Sequence, residues 1–202
     1  MDDGSLTWSE RVASGTLRPR VALRRAKVRE SLLNLGARLF VAEGVENVSV
    51  EDVIAAANIA RSTFYTFFNS KRDLLTHIVE PVFNNGIAAM RALNGQSPRA
   101  MLSGVIDTYL AMWERQADAL LLSTRLARAD FSLVEAAHRG FEEALTDLLK
   151  NVESAGLLRN GSVEYTRKLI AKSAVETLLV YQGDADLRRL YRSTMEGMLL
   201  AA

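Results

Sequence analysis

The chain has 202 residues, of which 49% are hydrophobic, with no cysteine and a formal net charge of +1. This composition allows a substantial core, in one compact unit or in a small head joined to a larger body, and excludes disulfides and thiolate metal sites. No apolar run reaches the length of a membrane span, so we expect no membrane-spanning segment. The first residues are acidic, whereas a secretory signal would be basic, so we expect a cytoplasmic protein.

A basic segment near the N-terminus is hidden by the balanced net charge. Seven cations and no carboxylate lie between Arg11 and Arg29. Such a run is often only a solvated tail, but it also suits contacts with nucleic-acid phosphates or the minor groove. We expect residues 1–21 to form a disordered basic arm that Pro19 keeps extended.

The elements that follow are all predicted to be helices. Only three prolines occur, at positions 19, 81 and 98, and there is no sustained alternation of β-branched residues. A first helix is predicted from Ala22 to Glu43, and Gly44 ends it. One stripe of this helix is apolar: Val28, Leu32, Leu35, Leu39 and Phe40.

Residues 49–68 are typical of two short helices joined by a tight turn. Ser49 can cap the first helix, and Asn58 suits the left-handed conformation that ends it. A second helix from about Arg61 to Phe68 buries Phe64 and Phe68. It turns outward a small, polar and cationic set that fits a DNA major groove: Arg61, Ser62, Thr63 and Thr66.

This stretch resembles the DNA-binding domain of the TetR family of bacterial transcriptional regulators, over roughly residues 28–75. The matching residues are Ser49, Val50, Val53, Ala57, Ile59, Thr63, Phe64, Tyr65, Phe68, Ser70, Lys71 and Leu74. Four positions depart from the family pattern. Asn58 replaces the turn glycine, Ala60 a serine cap, Ile54 an alanine, and Phe67 a polar ring that often meets phosphate.

A set of DNA contacts follows from the side-chain chemistry and from the resemblance. Arg61 suits guanine edges or phosphate, and Thr66 suits a thymine methyl. The resemblance implies that Lys71 contacts phosphate and that Tyr65 lies near the DNA backbone. The full predicted set is Arg24, Arg25, Lys27, Ser49, Arg61, Ser62, Thr63, Tyr65, Thr66 and Lys71.

The rest of the chain is predicted to form a helical body. Asn69 and Ser70 can cap a long helix from Lys71 to about Leu93, which Pro81 should kink. Further helices are expected near residues 98–116, 117–129, 131–155, 162–182 and 184–201. We therefore expect an all-α fold with a helix-turn-helix DNA-binding domain at residues 22–75 and a ligand-binding and dimerisation domain at residues 76–202.

The resemblance implies an effector site between the body helices and dimerisation through the last two helices. The predicted ligand residues are Phe83, Met90, Tyr109, Met112, Trp113, Leu122, Phe141 and Tyr181, although each alone is also explained as core. The predicted dimer residues are Leu169, Val175, Leu178, Leu179, Leu190 and Met195. A pseudo-palindromic operator also requires two heads on a two-fold axis.

Catalytic chemistry has little support in the sequence. The two histidines, His77 and His138, are isolated, and Glu142 and Glu143 are adjacent on a helix and expected to face solvent. We expect no catalytic residue, no cofactor and no metal. The chain is interpreted as a homodimeric, nucleoid-associated repressor that a small apolar or amphipathic ligand releases from DNA. The alternatives are a helical carrier protein with a non-functional head and, without positive support, a helical enzyme.

Overall fold

A computed structural model describes residues 19–201 and, for Pro19 and Arg20, the backbone alone. These residues form nine α-helices and no strand, which confirms the all-α class. The helices are α1 (Pro19–Glu43), α2 (Val50–Ala57), α3 (Arg61–Tyr65), α4 (Lys71–Ala92), α5 (Pro98–Arg125), α6 (Arg128–Phe131), α7 (Glu135–Ser154), α8 (Val163–Val180) and α9 (Leu187–Leu199). We call residues 19–75 the head and residues 76–201 the body.

Serine side chains begin four of these helices. Ser49, Ser70, Ser97 and Ser162 each accept a hydrogen bond from a backbone N–H in the first turn of the following helix. Pro98 follows Ser97 as the first residue of α5, where its missing N–H costs nothing. At the other end of α1, Gly44 takes a positive φ of 89°, as the predicted stop requires.

The predicted bounds of α1 and α3 need correction. Helix α1 begins at Pro19 rather than Ala22, so Pro19 does not keep an arm extended but starts the helix, a position that its fixed φ favours. The rest of the predicted arm lies outside the described residues. Helix α3 ends at Tyr65 rather than Phe68, because the chain continues in turns in which Phe67 and Phe68 both donate to the carbonyl of Phe64.

The helices predicted near 98–116 and 117–129 are one helix with a break. Helix α5 runs to Arg125 and departs from helical angles at Gln116, with φ −153° and ψ 63°. The short α6 and a turn then delay the start of α7 to Glu135, rather than 131. Helix α4, by contrast, continues through Pro81.

Helix α4 connects the head to the body. It packs against α1 on one side and against α5 and α7 on the other. Its residues Leu74 and Leu75 join the buried core of the head, while Phe83 and Met90 join that of the body. A movement of α4 would therefore displace residues in both the head and the body.

Helix α9 is joined to α5 by two ion pairs, Arg188 with Glu114 and Arg192 with Asp107.

Candidate DNA-binding surface and effector cavity

The turn between α2 and α3 has the geometry that Asn58 predicts. Asn58 lies in the left-handed region, at φ 49° and ψ 50°, and is the one non-glycine residue with positive φ among residues 19–201. Its N–H donates to the carbonyl of Ala55, and the N–H of Ile59 donates to that of Ile54. Ala60 begins α3 without a side-chain cap, because alanine has no acceptor. This turn joins two helices that cross each other, as in a helix-turn-helix.

Ser49 is used inside the head as the cap of α2. Its hydroxyl donates to Asp52 at 2.6 Å and accepts the N–H of Asp52, while the N–H of Ser49 donates to the same carboxylate. These hydrogen bonds hold the pKa of Asp52 below its usual range. The stabilisation that the ionised carboxylate of Asp52 adds to this cap is therefore present at neutral pH and is lost as pH falls through the lowered pKa. Its hydroxyl proton is not free for the predicted phosphate contact.

The outward residues of α3, and Thr66 directly after it, differ in whether their polar groups already form contacts within the chain. Arg61 is exposed, pairs with Glu51 at 2.8 Å and lies 5.6 Å from the centre of the Tyr65 ring. Thr66 donates its hydroxyl to the carbonyl of Ser62, which leaves its methyl as the group available for a base. Ser62 is exposed and Thr63 is half-buried. A polar surface with one paired guanidinium therefore faces outward.

Lys71 holds the loop between α1 and α2. Its partly buried Nζ donates to the carbonyls of Val45 at 2.7 Å and Val48 at 2.8 Å. Two of its three donors are thus committed to the fold. The resemblance assigns this lysine to phosphate, and the sequence carries no signal for the second role because the partners lie 26 and 23 positions away.

A shallow groove runs between α1 and α3. Arg24 and Lys27 are exposed on α1, and Arg25 is half-buried. The groove is lined by Arg24, Arg25, Val28, Ile59, Ala60, Ser62, Thr63, Thr66 and Phe67. Five of the ten predicted DNA residues therefore share this one groove, with cations of α1 on one wall and α3, the predicted recognition helix, on the other.

The body encloses a cavity of about 300 Å³. Four of the eight predicted ligand residues line it: Phe83, Tyr109, Met112 and Phe141. Burial and the negative charge of Glu142 both raise the pKa of Tyr109, so its phenol stays protonated. The wall is completed by Val82, Leu120, Ser123, Thr124, Leu126, Phe131, His138, Glu142, Leu145, Arg167, Ile170, Ala171 and Val175.

The other four predicted ligand residues lie away from this cavity. Met90, Trp113 and Leu122 are packed in the core. Tyr181 forms a hydrogen bond with the hydroxyl of Thr194 at 2.9 Å. Met and aromatic residues at helical spacing fill cores as readily as they line cavities, and the sequence did not distinguish the two.

A polar cluster of three residues at the cavity wall was missed by sequence reasoning. Glu142 forms an ion pair with Arg167 of α8 and lies 3.9 Å from Nδ1 of His138. Contrary to expectation, Glu142 does not simply face solvent, because it pairs with Arg167. The ring of His138 packs edge to face against those of Phe83 and Phe131, in agreement with a packing role. The i,i+4 spacing of His138 and Glu142 was the available signal.

The predicted dimer residues divide into exposed and buried groups. Leu169 is 40% exposed, and Leu179 and Leu190 are half-buried. Val175, Leu178 and Met195 are instead buried within the chain itself, so they cannot form a surface. Helix α8 exposes two further hydrophobic residues that the sequence did not single out, Tyr165 at 62% and Val180 at 76%.

Residues 19–201 contain neither a metal-site cluster nor a membrane-spanning helix. No group of three or more histidine, cysteine, aspartate or glutamate side chains is placed to hold a metal ion. In the same part of the chain, no helix combines the length and apolar character needed to cross a bilayer.

Comparison with known proteins identifies the head. Residues 32–78 match the family model described as bacterial regulatory proteins, TetR family. A curated relative, the uncharacterized HTH-type transcriptional regulator YvdT of Bacillus subtilis (strain 168), is 26% identical over 95 residues, which are 46% of this chain and 49% of that protein. The match therefore spans about half the length of this relative.

Solved structures extend the similarity over the body. The probable transcriptional regulatory protein RHA5900 has a TM-score of 0.73 at 20% identity and covers 85% of this chain and 96% of its own. The ketosteroid transcriptional regulator KstR2 of Mycobacterium tuberculosis has a TM-score of 0.71 at 20% identity, with 86% and 95% covered. At these identities the likeness establishes the fold.

Proposed function

We propose that this chain, a DNA-binding transcriptional regulator of the TetR family, is a homodimeric repressor that a small apolar or amphipathic molecule releases from a pseudo-palindromic operator. In this proposal the helix-turn-helix domain at residues 22–75 reads DNA. Residues 76–202 bind the effector and form the dimer. Regulators of this family are generally not enzymes.

The observation that carries the proposal is the course of α4. This helix begins at Lys71, directly after the recognition helix and its turn, and supplies Val82 and Phe83 to the cavity wall. A molecule that displaces this wall acts on the helix that follows α3 after a single turn. Helix α5 provides a second contact between the body and the head, because it packs against α1. This helix also departs from helical angles at Gln116.

The cavity supports an effector that is mostly apolar with a polar end. Its rings and aliphatic side chains suit an apolar body, while Glu142, Arg167 and the phenol of Tyr109 offer partners for a polar group. A wider groove of about 780 Å³ between α4 and α5 is lined largely by small and polar residues, among them Asn85, Gln96, Asp107 and Arg115. This groove is more open to solvent than the cavity, so an apolar ligand would leave more of its surface in water there.

The outer face of α8 supports the dimer. Tyr165, Leu169 and Val180 lie four and eleven residues apart, which places them on one stripe of the helix. Exposed hydrophobic residues in a stripe favour an interface between chains, and a two-fold axis would pair the stripe with itself. Two heads related by that axis would then meet the two halves of a palindrome.

An electrophoretic mobility shift tests the proposal most directly. The full chain would be titrated against genomic fragments that include the DNA flanking its own gene, with random-sequence duplex as competitor. We expect at least one fragment to be retained preferentially, and hydrophobic compounds that bind the cavity to release it. A protein that binds such compounds but no DNA would instead support the carrier alternative.

A further inference from the structure

Arg25 is held in place by an aromatic ring rather than by a carboxylate. Its guanidinium carbon lies 5.6 Å from the centre of the Phe67 ring, within the range of a cation–π contact. Its Nε is buried and has no hydrogen-bond partner within residues 19–201. The same part of the chain gives Arg25 no salt bridge. No carboxylate among residues 19–201 therefore neutralises the charge of this arginine.

The pair formed by Arg25 and Phe67 lies beside residues predicted to contact DNA. Arg25 and Phe67 line the groove that also contains Ser62, Thr63 and Thr66 of the recognition region. The side chain of Phe67 has no hydrogen-bond donor, whereas a guanidinium presents donors in a planar fork that matches phosphate. A cation fixed beside a recognition helix suits a backbone contact that positions the helix rather than one that reads a base.

We propose that Arg25 contacts a DNA phosphate beside the recognition helix and that Phe67 is the positioning residue that holds its guanidinium there. This inference rests on the proposed function and assigns a backbone contact and its support within the same surface. The ring contributes by fixing a flexible side chain before DNA arrives, which reduces the entropy lost on binding. The contact is independent of DNA sequence, because every phosphate presents the same oxygens.

The chain provides a matched control one helical turn away. Arg29, also on α1, lies 5.5 Å from the centre of the Phe68 ring. Phe68 is buried, and neither Arg29 nor Phe68 is part of the groove lining. The substitution Arg29→Gln therefore removes the same charge and the same kind of ring contact from the same helix, outside the proposed contact point.

The test measures affinity for a random-sequence duplex of about 30 base pairs, long enough for two half-sites one helical turn apart, at several salt concentrations. Arg25→Gln should weaken binding and lower the slope of log affinity against log salt by about 0.9. Phe67→Leu should weaken binding about two- to fivefold without changing the slope, and Phe67→Tyr should retain affinity because it keeps the ring face. Arg29→Gln should leave the slope unchanged.

The double variant decides whether the ring acts through the arginine. In the Arg25→Gln background, Phe67→Leu should have no further effect. An equal loss from Phe67→Leu with and without Arg25, or an unchanged slope in Arg25→Gln, overturns the inference. Thermal unfolding identifies any variant that has lost its fold, and the slope of Arg25→Gln and the affinity of Phe67→Tyr then decide. Failure of the unmodified protein to bind any duplex would overturn the proposed function itself.

Discussion

At the scale of single residues, a side chain assigned to DNA by resemblance can have a second task in the fold. Lys71 is such a residue, because its Nζ holds the carbonyls of Val45 and Val48. Ser49, which was assigned to DNA from its hydroxyl chemistry, also has a second task, because its hydroxyl donates to Asp52. For both residues, a loss of DNA binding on substitution would not by itself demonstrate a phosphate contact.

We predict that Lys71→Met lowers the free energy of unfolding by about 2 kcal/mol, since it removes charge-assisted hydrogen bonds from two carbonyls of buried residues. Chemical denaturation of the full chain measures the change. Lys27→Met is the matched control, because Lys27 is exposed on α1. If Lys71→Met were as stable as the unmodified protein and only its DNA affinity fell, the hydrogen bonds from Lys71 to the loop carbonyls would not contribute to stability.

At the scale of elements, the turn between α2 and α3 fixes the angle of the recognition helix. Asn58 is the residue on which this turn depends, because an L-residue with a Cβ is disfavoured in the left-handed conformation. Asparagine tolerates this conformation and glycine adopts it freely. The departure from the glycine of the family pattern is therefore compatible with an intact turn.

We expect Asn58→Ala to destabilise the chain by about 1 kcal/mol and Asn58→Gly to leave it as stable or slightly more stable. Operator affinity should fall for the alanine variant and persist for the glycine variant, since only alanine strains the turn. Denaturation and mobility shifts on the two proteins measure both effects. Equal stability of the two variants would mean that the turn does not need a left-handed residue.

The proposed interface on α8 gives a prediction for the assembled state. Leu169→Glu and Val180→Glu should each yield monomers with weakened operator binding, because a charge in a paired hydrophobic stripe is costly to bury. Multi-angle light scattering measures the mass, and Leu23→Glu on α1 is a control for the mass alone, at another exposed leucine. Leu178→Glu is unsuitable, because Leu178 is fully buried and the variant should unfold. Dimers in both α8 variants would remove this face from the interface.

At the scale of the whole molecule, effector and operator should compete through α4. Because coupling is reciprocal, a molecule that releases DNA must bind the free dimer more tightly than the DNA-bound dimer. Helix α4 runs from the head to the cavity wall, and α1 of the head also packs against α5 of the body. A change at the cavity wall therefore has two packed routes to the recognition helix.

We predict that compounds that fill the cavity weaken operator binding about 5- to 150-fold, the usual range of such coupling. Val175→Phe, which adds volume at the wall, should abolish the response while keeping DNA binding. Leu122→Met is the control, since Leu122 is core and does not line the cavity. The measurement is operator affinity with and without compound. Saturable binding that leaves operator affinity unchanged would support a carrier rather than a switch.

The sequence by itself determined the features that depend on neighbours along the chain. The all-α class, the cap at Ser49, the left-handed Asn58 and the end of α1 at Gly44 all follow from spacing of a few residues. Such features are local because a helix makes its hydrogen bonds four residues away and a cap three. The helix-turn-helix was therefore identifiable from the sequence without knowledge of the packing.

Only the tertiary structure decided which side of each body helix meets a cavity, the core or water. Helical periodicity marks an apolar face but not what that face meets, so Met90 and Trp113 could not be told from Phe83 and Tyr109. Other assignments also depend on distant partners. Arg167 of α8 draws Glu142 into the cavity wall, just as the loop carbonyls hold Lys71, because packing joins residues that the chain keeps far apart.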